Sequence, residues 1–99
     1  MAKYIPSNKA VEDLSIIWNY TFEVWSEAQA DKYYYMLLDY CQELADKKIS
    51  GKQYSEINEE IFGIKAGQHI IFYRILKNTR TEIVRILHNR MDLKTRLQE

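Results

Sequence analysis

The stretch Gln68-His69-Ile70-Ile71-Phe72-Tyr73-Arg74-Ile75-Leu76, with the run Thr81-Glu82-Ile83-Val84-Arg85-Ile86-Leu87 after it, decides the fold of this chain. Both runs are rich in β-branched and aromatic residues, and the polar break at residues 77–80 holds turn-forming residues, so they predict an antiparallel hairpin. The first run carries apolar residues on both faces: Ile71, Tyr73 and Ile75 on one, and Ile70, Phe72 and Leu76 on the other. Such a hairpin needs a cover on each face. We expect the protein's own helices to form one cover and a partner to form the other.

Two helices are predicted before the hairpin. The first begins at Ser7 or Asn8 and has apolar residues at spacings of three and four. Its predicted buried stripe consists of Val11, Leu14, Ile17, Trp18, Thr21 and Trp25. Its predicted solvent side holds Glu12, Asp13, Asn19 and Glu23.

The second helix is predicted to begin at the capping-box pattern Ser26-Glu27-Ala28-Gln29, in which the serine hydroxyl accepts a hydrogen bond from the amide three residues later. Its predicted buried side consists of Ala30, Tyr34, Leu37, Cys41 and Leu44. The pair Ser50-Gly51 is expected to stop it. Because few residues connect the two helices, we expect an antiparallel helical hairpin.

Three further strand and turn signals complete the predicted order. They are a β-like start at Tyr4 and Ile5 closed by Pro6, a strand over residues 61–65, and a tight turn at Ala66-Gly67. Residues 52–60 are predicted to form a loop and residues 92–97 a last helical turn. The prediction is an α+β fold of order β-α-α-β-β-β with a short C-terminal helix, in which a helical hairpin packs on a small twisted antiparallel sheet. One domain is expected over residues 1–99.

Composition limits the classes of function. No apolar run is long enough to cross a bilayer, so we expect a cytoplasmic protein. The single cysteine, Cys41, falls on the apolar side of the second helix, which is typical of a core residue in a reducing compartment. Two histidines and one cysteine without ligand spacing predict no metal site. The chain has neither a glycine-rich phosphate loop nor a nucleophile motif, so no cofactor is expected.

The formal net charge of zero hides a separation of charge along the chain. Residues 1–63 carry 6 basic and 11 acidic side chains, a balance of −5, whereas residues 64–99 carry 8 and 3, a balance of +5. A basic C-terminal part suits an acidic partner segment, a nucleic acid or an anionic patch on another protein. The same residues would also keep a sheet soluble and its edges unpaired, and the sequence leaves these alternatives open.

Several strings, in their order and spacing, carry a family resemblance over nearly the whole chain. They are Ala10-Val11-Glu12-Asp13-Leu14 with Ile17 and Tyr20, Trp25 followed by Gln29-Ala30 and Tyr33, Leu44-Ala45, Gln68-His69-Ile70-Ile71-Phe72-Tyr73-Arg74, and Ile86-Leu87-His88-Asn89-Arg90-Met91-Asp92. With them the chain resembles the ParE branch of the RelE/ParE toxins of bacterial type II toxin-antitoxin systems. The resemblance implies a RelE/ParE-like fold and a toxin that binds DNA gyrase and blocks replication, with plasmid stabilisation as its setting.

The resemblance also implies a partner and a set of contact residues. A ParD-like antitoxin is expected to wrap the toxin with a flexible acidic C-terminal segment, along the helix pair and across the open side of the sheet, giving a hetero-oligomer. Neither a membrane nor direct specific binding of nucleic acid is expected. The candidate residues for contact with antitoxin or gyrase are Tyr33, Tyr73, Arg74, Arg85, His88, Arg90, Met91 and Asp92.

The alternative is an enzyme of the RelE branch, which is similar in fold but cuts messenger RNA without a metal. Attack by a 2′-hydroxyl needs proton transfer and cations near phosphorus, and Arg74, Arg85 and His88 could fill these roles if they converge. The chain has no tyrosine after Tyr73, has Asn89 where nuclease relatives can place an aromatic residue, and is neutral overall. These features favour the gyrase-binding toxin. A structural role for the histidine and a place at the sheet margin for the arginines remain open.

Overall fold

The elements follow one another in the predicted order. Residues 2–98 are described by this structure, a computed structural model. Its helices are α1 (Asn8–Val24), α2 (Glu27–Ala45) and α3 (Leu93–Leu97), and its strands are β1 (Tyr4–Pro6), β2 (Lys52–Gln53), β3 (Phe62–Ala66), β4 (His69–Ile75) and β5 (Thr81–His88). The order β-α-α-β-β-β with a short C-terminal helix is confirmed, and β2 is added within the predicted loop. Within residues 2–98, no helix is long and apolar enough to cross a membrane.

The strands form a mixed sheet in the order β1-β5-β4-β3-β2. The four later strands pair antiparallel, and Gly67, with a φ of 61°, makes the predicted tight turn between β3 and β4. β1 departs from the antiparallel arrangement expected, because it pairs in parallel with residues 81–83 of β5. The chain between β1 and β5 supplies the long crossover that a parallel pair requires, so these two strands run in the same direction.

A β-bulge in β5 sets the direction of Arg85. Phe72 pairs with Arg85, but the next residue of β4, Tyr73, pairs with Ile83, so one residue of β5 between them is extra. A bulge of this kind breaks the alternation of side chains and re-aims one of them. As a result Ile83 and Ile86, three residues apart, both join the core under the helices, and Arg85 turns towards α1.

The core between helices and sheet consists largely of residues that the sequence patterns predicted. The strands contribute Ile71, Tyr73, Ile83 and Ile86, and the helices contribute Ala10, Leu14, Ile17, Leu37, Cys41 and Leu44. The predicted place of Cys41 in the core is confirmed, and burial raises the pKa of its thiol to about 12. At neutral pH this thiol is therefore protonated and acts as a small apolar side chain.

α1 buries the middle of its predicted stripe, at Leu14 and Ile17, but departs from the prediction at three positions. Val11 and Trp25 are exposed rather than buried, whereas Asp13, assigned to the solvent side, is buried. Asp13 is buried because it forms an ion pair with Arg85 of β5. Periodicity within one helix cannot reveal a partner 72 residues away.

The two helices pack as the predicted hairpin. The indole N–H of Trp18 on α1 donates to Asp31 on α2 at 2.9 Å, across the short connection. α2 begins at its predicted cap, where the Ser26 hydroxyl accepts from the N–H of Gln29. It ends at Ala45, earlier than the predicted stop at Ser50-Gly51, because Lys47 adopts a φ of 61° that is incompatible with a continuing helix.

The chain itself covers the opposite face of the sheet. The residues buried there are Ile61, Ile70, Phe72 and Leu87, and the half-buried side chains of Tyr54, Val84, Leu93 and Leu97 pack against them. Tyr54, in the loop before β3, packs edge-on against Phe72 with ring centroids 5.1 Å apart. The expectation that a partner must cover this face is therefore wrong at these positions, because α3 and the loop supply the cover. A cleft beside α1, at the end of β5, remains open.

Candidate functional site

A cleft of about 410 Å³ lies between α1 and the end of β5. Its apolar floor includes Ile17, Ile86 and Leu87. Three side chains that line it are large, apolar and exposed: Ile16 by 64%, Tyr20 by 65% and Met91 by 42%. Contiguous exposed apolar surface on a folded domain marks interaction sites, so the cleft is the candidate surface for a partner.

A buried ion pair forms one wall of the cleft. Arg85 donates from Nε and Nη2 to the two carboxylate oxygens of Asp13, at 2.8 and 3.0 Å. The two side chains are 12% and 8% exposed. The same carboxylate accepts from the backbone N–H of Ile86 at 3.0 Å, and Arg85 Nη1 donates to the carbonyl of Arg96 at 2.9 Å. One pair therefore joins α1, β5 and the segment of α3.

The ion pair with Asp13 gives Arg85 a structural role. A guanidinium held by both oxygens of a carboxylate is in the strongest arrangement that such a pair can adopt. Separating the two groups would leave a charge buried without compensation. The ion pair with Asp13 would have to break before the guanidinium of Arg85 could bind a phosphate group.

His69 and His88 line the cleft, and Tyr33 contacts His69 beside it. The Tyr33 hydroxyl is 2.6 Å from Nδ1 of His69 and accepts from the N–H of Gln68 at 3.0 Å. The rings of His69 and His88 meet edge to face, with centroids 5.3 Å apart. Burial, with a smaller contribution from His88, lowers the pKa of His69 to about 4. His69 is therefore neutral near pH 7 and acts as a hydrogen-bonding group.

His88 ends β5 and organises the turn that follows. Its Nδ1 accepts from the N–H of Arg90 at 3.1 Å, and its carbonyl accepts from the N–H of Met91 at 3.1 Å. Arg90 is exposed. Asp92 caps α3 by accepting from the hydroxyl and the N–H of Thr95, and these hydrogen bonds lower the pKa of the Asp92 carboxyl. The turn thus presents Met91 to the cleft and a basic side chain to solvent.

Two of the predicted contact residues lie elsewhere. Tyr73 is buried under the helices, where its hydroxyl accepts from the N–H of Gly51 at 2.7 Å. Arg74 pairs with Glu82 across the hairpin, with 2.6 Å between Nε and Oε1. The structure therefore separates Arg74 from the other two residues considered for catalysis, which line the cleft.

The cleft also has lining residues outside the predicted contact set, among them Asp13, Ile16 and Tyr20 of α1. Asp13 had been placed on the solvent side of α1. Ile16 and Tyr20 are four residues apart, so they share one side of the helix, outside the stripe that was predicted. The four-residue spacing of Ile16 and Tyr20, on an otherwise polar side of the helix, is the pattern that could have predicted them.

Comparisons with known proteins point to one family and to a shared fold. The family model described as the ParE toxin of the type II toxin-antitoxin system, parDE, matches residues 4–93. Toxin ParE1 of Mycobacterium tuberculosis is 32% identical over 92 residues, which cover 93% of this chain and 94% of the relative. Toxin ParE of Escherichia coli is 32% identical over 99 residues, which cover 100% of this chain and 96% of the relative. A solved structure described as the chromosomal ParDE TA system from P. aeruginosa shares the fold, with a TM-score of 0.74 at 18% identity over 89% of this chain and 96% of that chain.

Proposed function

We propose, because this chain belongs to the ParE toxin family of type II toxin-antitoxin systems, that it binds and inhibits DNA gyrase and that a ParD-like antitoxin neutralises it in a hetero-oligomer. The observation that carries the proposal is the cleft between α1 and β5, where Ile16, Tyr20 and Met91 are exposed. A toxin needs a surface that can exchange a neutralising partner for a target. Exposed apolar residues around a preformed cleft suit that exchange.

The charge beside the cleft supports an acidic partner. The turn after β5 and the helix α3 carry Arg90, Lys94 and Arg96, all exposed. Asp92 is the acidic residue among positions 88–98, and it is bound to Thr95 as the cap of α3. This basic margin would attract an acidic antitoxin segment to the apolar cleft.

The chemistry of the cleft favours binding over RNA cleavage. Arg85 and Arg74 are each paired with a carboxylate, Asp13 and Glu82, and the two pairs lie at different places on the hairpin. Cleavage would need cations available to a phosphate and gathered at one point. We therefore propose that inhibition follows from occupying a surface of gyrase.

A supercoiling assay with purified gyrase, relaxed plasmid and ATP tests the proposal. The toxin in stoichiometric excess should abolish supercoiling, and added antitoxin should restore it. Ile16→Glu places a charge on the margin of the cleft and should remove the inhibition. The matched control is Ile75→Glu at the end of β4, where the side chain is 46% exposed and outside the cleft lining. This control should inhibit like the unaltered protein.

Two outcomes would contradict the proposal. Unchanged supercoiling with folded toxin in excess would remove gyrase as the target, and cut transcripts in a translating extract would then identify a RelE-type enzyme. Equal loss of inhibition in both glutamate variants, with unchanged circular dichroism spectra, would show that the cleft is not the contact surface.

A further inference from the structure

The outer edge of β5 is only half occupied. β1 pairs with residues 81–83, and Ser7 donates its backbone N–H to the carbonyl of Ile83 at 2.9 Å before the chain turns into α1. β5 continues to His88. In the described part of the chain, residues 84–88 therefore have no strand on their outer side. An unpaired strand edge is a template for another strand.

The hydrogen bonds identify which backbone groups face outwards. The N–H of Ile86 donates to Asp13, away from β4, whereas the N–H of Asn89 donates inwards to the carbonyl of Gln68 at 3.0 Å. Backbone groups of successive strand residues alternate in direction. The carbonyl of Ile86 and the N–H of His88 therefore point outwards. They flank Leu87, which belongs to the floor of the cleft.

We propose that an extended segment of the antitoxin binds in this cleft as an added strand, parallel to β5 and in line with β1. The inference rests on the proposed function, because it states how the neutralising partner is held. In a parallel pair, one partner residue opposite Leu87 donates its N–H to the carbonyl of Ile86 and accepts from the N–H of His88. These are the two groups that point outwards.

An antiparallel strand fits this edge less well. It would need both backbone groups of Ile86, but Asp13 already accepts from the N–H of that residue. Pairing at His88 instead would need its carbonyl, which accepts from the N–H of Met91 in the turn. The contacts already present at the edge thus select a parallel partner.

The surroundings of the edge define the composition of the added strand. Side chains of a strand alternate between the two faces of a sheet. On the side of α1 they would meet Ile16 and Tyr20, and on the side of α3 they would meet Arg96, with Arg90 and Lys94 on the same turn and helix. A segment in which apolar and acidic residues alternate is complementary to both sides.

The variant His88→Pro tests the added strand in the toxin-antitoxin complex. Proline removes the outward N–H, and the pairing of β5 with β4 is retained because that N–H points away from β4. His88→Ala is the matched control, because it removes the same side chain and keeps the N–H. We expect His88→Pro to bind the antitoxin about three- to tenfold more weakly than His88→Ala, as for the loss of one hydrogen bond. Equal affinities of the two folded variants would overturn the proposal.

Amide hydrogen exchange in the unaltered protein gives a second measurement that depends on no variant. The N–H of His88 should exchange about tenfold more slowly in the complex than in the free toxin, while the N–H of Lys77 in the distant β4-β5 turn should not change. A complex that forms without slowing exchange at His88 would refute the added strand and leave the proposed function standing. If no antitoxin binds, both proposals fall. If exchange at the N–H of His88 slows in the free toxin as the toxin concentration rises, the edge pairs with a second copy of this chain, and the proposal is overturned.

Discussion

The Asp13 carboxylate accepts three hydrogen bonds, two from Arg85 and one from the backbone of Ile86. Asp13→Ala would remove the carboxylate that balances the charge of Arg85 and would leave the N–H of Ile86 without its acceptor. We expect the free energy of unfolding, measured by urea denaturation, to fall by about 3–5 kcal/mol. The matched control is Glu82→Ala, which breaks the more exposed pair with Arg74 and should change stability by about 0–1 kcal/mol.

A double variant shows whether the loss of stability comes from the unbalanced charge of Arg85 or from lost packing. Asp13→Leu combined with Arg85→Met replaces the pair by apolar side chains of similar size, so it should be more stable than Asp13→Ala. A double variant as unstable as the single one would show that the charge is not the cause.

This pair also shows why the sequence was an incomplete guide to the site. A polar residue on a helix was assigned to water, and only the folded chain brings its partner on β5 to it.

His69 is expected to make stability depend on pH. Its pKa in the folded protein is about 4, against about 6.5 for an unperturbed histidine. Above pH 6.5 the ring is neutral in both states, so it adds no slope. Between about pH 6.5 and 4 the His69 imidazole is protonated in the unfolded chain but neutral in the folded one. The free energy of unfolding therefore falls as the pH falls. Urea midpoints of the protein and of His69→Gln should therefore converge over this range, and parallel curves would contradict the assignment.

At the scale of elements, the five-residue helix α3 acts as part of the cover of the sheet. Leu97→Ala removes a half-buried side chain that packs on the cluster of Ile61, Ile70, Phe72 and Leu87. We expect a loss of about 1–2 kcal/mol, below the range for a fully buried leucine, and stronger fluorescence of a dye that binds exposed apolar surface. Ile75→Ala, at an exposed position, should change stability by less than about 0.5 kcal/mol. Equal effects of the two changes would mean that α3 is not a cover.

The elements themselves were accessible from the sequence, because each depends on local patterns. Two β-branched and aromatic runs around a polar break predicted β4 and β5, and the serine cap predicted the start of α2 at Glu27. The parallel pairing of β1 and the cover supplied by α3 depend on where distant segments meet, which no local pattern contains. The same limit explains why the sequence suggested a partner where the protein covers itself, and why it overlooked the cleft beside α1.

At the scale of the whole molecule, the separation of charge persists in the fold. The acidic residues are concentrated in the N-terminal part with α1 and α2, and the basic excess lies in the part with β4, β5 and α3. We expect the association rate with an acidic antitoxin to fall by on the order of tenfold between low and physiological ionic strength, with little change in the dissociation rate. Replacing Arg90 and Lys94 by glutamine should flatten this dependence, whereas replacing Lys32 on α2 should not. A rate independent of salt would contradict electrostatic attraction.

The pairing of β1 with β5 joins residue 4 to residue 81. Ribosomes make β1 first, and its neighbour in the sheet, β5, follows only after β2, β3 and β4 have been made. Until then Ser7 lacks its carbonyl acceptor, and α1 lacks the arginine that anchors it. A growing polypeptide therefore has no finished contact surface until β5 has been made and has paired with β1.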